Sequence, residues 1–307
     1  MRQAENKVKI EGILAETDLK YGSFVKNGET VENVGGSIKV LVEQEVNGEH
    51  QELMIPVYMF STKYTKQGKL NPAYESIEKV MKEFVSIAAA GGKEHADRIR
   101  ITSGNLRMNE FPSQNGQIVS QVRVNASFVS KVIGAFNPEA TFSLEFVVSG
   151  MSRAVDSDGN ELDPAKLEVN VVVPQYTAAG AAPNVDVMKL VAVAPNVINA
   201  VENYWENNAT YKANGRLNFS STTKEFTVPV DFGEPKREVR TINISELVIT
   251  GGSQSPLDEE FGFDLDEIKA GLAARKTRLA DMKNGKANGT KQAPAQKTDK
   301  GQLDLGF

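Results

Sequence analysis

The sequence predicts a mainly β chain with a few helices, laid out as two tandem five-stranded barrels followed by a C-terminal helix and a disordered tail. Three observations carry this expectation. Apolar and polar residues alternate through much of residues 7–250, the order of elements in the first half returns in the second, and both features stop after Gly251-Gly252.

The stretch from Arg98 to Val132 anchors the first unit as a long antiparallel hairpin turning at Asn115-Gly116. On its first arm Ile99 and Ile101 share a face, and past Gly104 the apolar phase moves to Leu106 and Met108. A glycine at such a flip predicts a bulge. On the return arm Ile118, Val122, Val124, Ala126 and Phe128 are expected toward the core. A three-residue loop with Gly116 left-handed then brings Asn105, Arg107, Asn109 and Phe111 beside Gln121, Arg123 and Asn125. That register sets Arg107 opposite Arg123. Like charges directly across two strands repel, and a polyanion over the face would remove the cost; the plain alternative is a solvated sheet face.

Upstream, Lys7–Ala15 reads as the first strand, with Gly12 where a coiled strand can bend. Glu16–Gly36 reads as a polar loop carrying Tyr21, Phe24 and Lys26. Ser37–Val46 and Glu52–Phe60 form a hairpin around Asn47-Gly48. Its second arm, through Tyr58 and Phe60, runs into a stretch holding Lys63, Tyr64, Lys66 and Lys69. Aromatics interleaved with lysines suit a single-stranded nucleic acid, because rings stack on bases while ammonium groups follow phosphates. For Tyr58 and Phe60 a core role is equally open. Asn71-Pro72 opens a helix with an apolar stripe of Ile77, Val80, Met81 and Phe84, which Gly91-Gly92 is expected to end. Strand, loop, hairpin, helix, hairpin is the order of an OB-type barrel, with the helix between its third and fourth strands.

The order returns after Gly134. Thr141–Arg153 is a strand, Leu167–Pro174 and Val185–Val193 are apolar arms, and Ala194-Pro195 opens a helix through Val197, Ile198, Val201 and Trp205. Gly215–Phe219 then matches Gly104–Met108 in phase, and Arg240–Ile249 mirrors the closing strand. The units are therefore placed at 1–136 and 137–256. An acidic segment and amphipathic helix follow at 257–283, where Asp264 and Glu267 make a capping box. Residues 284–307 are expected to be a disordered linker with an apolar tip.

The net charge is −5, but residues 1–136 hold 17 basic and 16 acidic side chains against 9 and 15 in residues 137–256. Local faces, more than the total, choose a polyanionic partner. The second unit offers Arg153, Arg216, Arg237 and Arg240 as basic candidates. With no cysteine and only two histidines, zinc-cluster and thiol chemistry are excluded, and no cofactor or metal is expected. Asp156–Asn160 lacks the later ligands of a calcium loop and reads as a turn. Clustered nuclease-like carboxylates are absent as a motif, so no enzyme is expected. No apolar run is long enough to span a membrane, and the first residues lack a signal-peptide core, which predicts an intracellular protein.

Two barrel-like units, a central G-x-L hairpin, a polar linker and a terminus ending in phenylalanine together resemble OB-fold single-stranded DNA-binding proteins, in particular the type that bacteriophages encode. The resemblance spans about residues 7–252 and the tip at 303–307. It implies coating of exposed single strands in replication, recombination or repair, in the host bacterial cytoplasm if viral. It also implies aromatic and basic contacts on the barrel face, matching Tyr64, Lys66, Arg107, Phe111 and Arg123, and recruitment of replication or recombination proteins through Asp304, Leu305 and Phe307. Two features depart from the family: the tip has one acid, and the linker before it is basic. The competing reading is a viral structural or assembly protein without nucleic-acid binding.

Overall fold

The computed structural model describes residues 1–46, 49–113, 115–178, 180–228, 236–258 and 260–285, without the side chains of Val46, Glu49 and residues 221–243. Strands β1 (Asn6–Lys26), β2 (Glu29–Val46) and β3 (Glu49–Thr62) lead to helices α1 (Pro72–Glu83) and α2 (Ile87–Ala90). Then come β4 (Arg98–Pro112), β5 (Ile118–Asn125) and the short β6 (Ser130–Lys131). The second half runs β7 (Glu139–Arg153), β8 (Leu167–Pro174), β9 (Val185–Ala192), α3 (Pro195–Tyr204), β10 (Thr210–Val228) and β11 (Lys236–Gly252), and α4 (Leu265–Lys283) ends the described chain.

In the first half β1 pairs with β2, β2 with β3, β3 runs parallel to β5, β5 pairs with β4, and β4 returns to β1. The second half repeats these pairings in the order β7, β8, β9, β11, β10 and back to β7. The two sets join where Asn6–Glu11 pairs antiparallel with Glu139–Leu144, giving one 11-stranded sheet. Positions match closely between them. Val8 faces Gly104 as Phe142 faces Gly215, and Leu14 and Val148 each sit just before a bulge.

Each half buries its own alternating face. Val8, Ile10, Ile38, Val40, Ile55, Val57, Ile99 and Leu106 have no exposed surface, and each such side chain contributes about 1.5–3 kcal/mol. In the second half Trp205 stacks on Tyr211 at 5.2 Å and meets Phe146 edge-on at 5.4 Å. Gly12 is required by β1's bend, since a Cβ there would lie 2.4 Å from the Leu41 carbonyl oxygen.

Several expectations are corrected. Glu16–Gly36 is not a loop: it forms the far half of β1 and the start of β2, turning at Asn27-Gly28 with φ of 52° and 83°. Both φ values are positive, as a two-residue hairpin turn requires. Past the Tyr21–Val34 pair, residues 22–30 of the ribbon are all exposed, so its apolar alternation fades while its pairing continues. The helix expected from Pro72 to Gly91 breaks after Glu83, because the Val85 amide donates to Asp97 and Ser86 caps the separate turn α2. Phe128, expected in the core, is 49% exposed, because β5 ends at Asn125.

Helix α4 locks the halves together. Asp264 caps it by accepting from the Asp266 and Glu267 amides, and Glu267 takes the Met1 ammonium at 2.9 Å. Gly271 packs against Val185 of β9, while Arg275 and Arg278 both reach Glu110 on β4, whose side chain is fully buried. The sequence pattern that makes this helix amphipathic puts Leu265, Ile268, Leu272, Leu279 and Met282 on one face; of these Ile268 is buried and Leu272 partly so, but Leu265 is 37% exposed. Among the described residues no helix is long and apolar enough to cross a membrane.

Candidate nucleic-acid interface

Residues paired across adjacent strands project to the same face, so the register defines the outer surface of the first unit. One row runs Asp18, Ser37, Tyr58, Asn125, Asn105 across β1, β2, β3, β5 and β4. A second row runs Lys20, Gly35, Phe60. Arg123 and Arg107 lie one step along β5 and β4, directly opposite each other. Gly116 takes φ 76°, the left-handed turn position that this register needs.

The two arginines are stabilised differently. Arg107 donates from Nε to Asp186 Oδ2 at 2.8 Å, and that carboxylate, 3% exposed on β9, also accepts the Met108 amide. Burial pushes the Asp186 carboxyl up from its ordinary pKa, while the nearby Arg107 pulls it down less strongly. Arg123 has no carboxylate partner among the described residues. Its guanidinium lies 4.2 Å from the Tyr58 ring centre, its Nε is buried without a hydrogen-bond acceptor, and burial lowers its pKa. Asn105 Oδ1 nearby is also buried without a partner.

Beside this pair Phe60 is 58% exposed, its ring lying over Gly35, where a Cβ would sit 3.0 Å from it. Farther along the same face, Phe24 (40% exposed) and Lys26 stand on the β1–β2 ribbon. The β3–α1 loop adds Tyr64 (53% exposed) with Lys66 and Lys69, which make no ion pair among the described residues. Lys63 is held by Glu32 at 2.8 Å, which raises its pKa.

Other sequence candidates are placed elsewhere. Tyr21 lies opposite buried Val34 on the inner side of the ribbon, where its hydroxyl meets Glu78 and its ring lies 6.3 Å from Tyr74. Phe111, by contrast, keeps the face expected of it, two alternations beyond Arg107 on β4 and opposite Val119, and is half-buried there. Arg153 is held by Glu202 through two hydrogen bonds and by Glu161 through a third. Arg216 faces Val248 across β10 and β11. Arg237 and Arg240 are on β11, but their side chains lie outside the described part, and Asp304, Leu305 and Phe307 lie outside the described residues. Asp186, Glu110, Gly35 and Lys20 were not singled out by the sequence; Asn27-Gly28 is the signal that would have placed Lys20 on a strand. Glu43, His50 and Glu52 bring ligand atoms within 4.8 Å of one another, but Lys93 occupies Glu43 and Glu45 takes His50.

The fold is similar to two crystal structures of the single-stranded DNA binding protein from Thermus aquaticus. A deletion mutant matches at 12% identity and a TM-score of 0.48, covering 84% of this chain and 98% of that one. The wild type matches at 11% identity and 0.48, covering 83% and 95%. A search of curated proteins found no match. The family model described as YorF spans residues 4–285, and the chain therefore belongs to the YorF family.

Proposed function

We propose that the chain is a single-stranded DNA-binding protein, not an enzyme, and that the outer face of its first unit holds the strand. The observation that carries this reading is Arg123, a partly desolvated cation stacked on Tyr58 with no counter-ion among the described residues, next to the exposed ring of Phe60. Leaving a cation half-buried and unpaired is costly, and a phosphate over the face would remove that cost. Tyr58 and Phe60 are two residues apart on one strand, about 7 Å, so each ring can meet a different base. Strands two and three with the flanking hairpins are also where OB folds bind oligonucleotides.

Such a surface recognises backbone charge and π-faces, which every sequence supplies, and rings buried in a duplex stack are out of its reach. The role that follows is coating of exposed strands during replication, recombination or repair, as bacteriophage proteins of this type do. Asp304, Leu305 and Phe307 are proposed to recruit replication or recombination partners, supported by their apolar and acidic chemistry at the end of a polar linker. The test is a titration of labelled oligo-dT, oligo-rU and duplex DNA at two salt concentrations. Tight, salt-sensitive binding of oligo-dT over duplex is expected; equal affinities or a flat salt response overturn the reading.

A further inference from the structure

The near-symmetry of the two halves allows each position on the proposed strand-binding face to be read against its counterpart. Since Val8–Gly104 corresponds to Phe142–Gly215, Arg107 corresponds to Asn218 and Arg123 to Glu246. The unpaired arginine of the first unit is thus a glutamate in the second. That glutamate is satisfied already, by Lys166 at 2.5 Å and by the Asn218 side-chain amide at 3.2 Å. The aromatic position changes too: Tyr58, beside β5, corresponds to Val191, beside β11. Val191 and Val248 are 4% and 2% exposed, so the second face is closed where the first is half-open. Charges flanking it are matched within the unit, Lys189 on Glu168 and Arg153 on Glu202.

We infer that the duplication has split in function: each chain carries one strand-binding face, on the first unit, and the second unit's equivalent face takes no strand. This rests on the reading above. A phosphate approaching the second face would meet Glu246 in place of Arg123, and a base would meet buried Val191 where the first face has the Tyr58 ring. Arg216 is the described cation on that face without an ion pair, and beside buried Val248 it lacks the stacking partner that Arg123 has in Tyr58.

The test uses the full chain with a short oligo-dT of about six nucleotides, within the span of a single barrel. Native mass spectrometry at saturating oligonucleotide counts strands per chain, and anisotropy compares Arg123→Glu with Arg216→Glu and with Arg240→Glu, the β11 position in phase with Glu246. One strand per chain is expected, with Arg123→Glu lowering affinity at least about tenfold and the other two changing it less than about twofold. Two strands per chain overturn the inference. So does an affinity loss from Arg216→Glu or Arg240→Glu that equals the loss from Arg123→Glu, and either result leaves the DNA-binding reading standing. No binding of any oligonucleotide by the unmodified chain removes both.

Discussion

Arg107 and Arg123 face each other directly across β4 and β5, yet one is neutralised by Asp186 of the other unit and the other rests on the Tyr58 ring. The repulsion expected between them is therefore relieved on one side only. Arg107 ties the two units together, and Arg123 remains available to an anion.

Arg107→Ala and Arg123→Ala should consequently behave differently. Removing Arg107 strands a buried carboxylate and should cost about 1–3 kcal/mol, the smaller end reflecting the arginine's own partial exposure. Removing Arg123 deletes an unsatisfied buried Nε and should leave stability unchanged or slightly raised while weakening oligonucleotide binding. Urea denaturation beside anisotropy checks both. Equal stability losses would mean that Arg123 has a structural partner.

Phe60→Ala should lose roughly 1–3 kcal/mol of oligonucleotide affinity, the value of a stacked base. Because the ring is exposed and lies over Gly35, unfolding stability should move by no more than about 0.5 kcal/mol. A variant that unfolds early and binds normally would assign Phe60 to packing.

Lys66→Ala and Lys69→Ala should each reduce the slope of log affinity against log salt by about 0.7, the counter-ion release of one single-strand phosphate. Neither lysine has an ion pair among the described residues, so thermal stability should stay constant. An unchanged slope would place the strand away from the β3–α1 loop.

Glu110→Ala should destabilise the chain by about 3 kcal/mol, since Arg275 and Arg278 both lose a fully buried partner. Hydrogen exchange should locate the loss in α4 and in its contact with β4. Protection retained throughout α4 would show that Gly271 and Ile268 hold the helix without the ion pairs.

Glu11, 2% exposed, is held below the usual carboxylate range by its hydrogen bond from Arg100, with the Asn137 amide assisting against burial. Folding thus favours its charged form. The stabilisation is present above the unfolded glutamate pKa, about 4.3, and lost as pH falls through the lower folded value. Glu11→Gln should be less stable at neutral pH and lose less on acidification, by urea midpoints across that range. Parallel acid curves for both proteins would contradict this.

The sequence exposed the order of strands because buried strands carry period-two alternation, and it exposed the Arg107–Arg123 register because Asn115-Gly116 fixes the turn. It hid the β1–β2 ribbon, whose far end covers no core and so alternates weakly; only Asn27-Gly28 marked it. Asp186 was invisible as a partner because it comes from the other unit, 79 residues away. Phe60 was evenly split between core and surface by its strand composition, and only pairing with Gly35 settled its face.

The central claim is that Tyr58, Phe60 and Arg123 form the strand-binding face, and photocrosslinking of oligo-dT followed by peptide mapping tests it most directly. Adducts should fall within residues 58–64, with Phe60 and Tyr64 foremost, and should disappear in high salt. Adducts confined to residues beyond 137, or spread evenly along the chain, would contradict it.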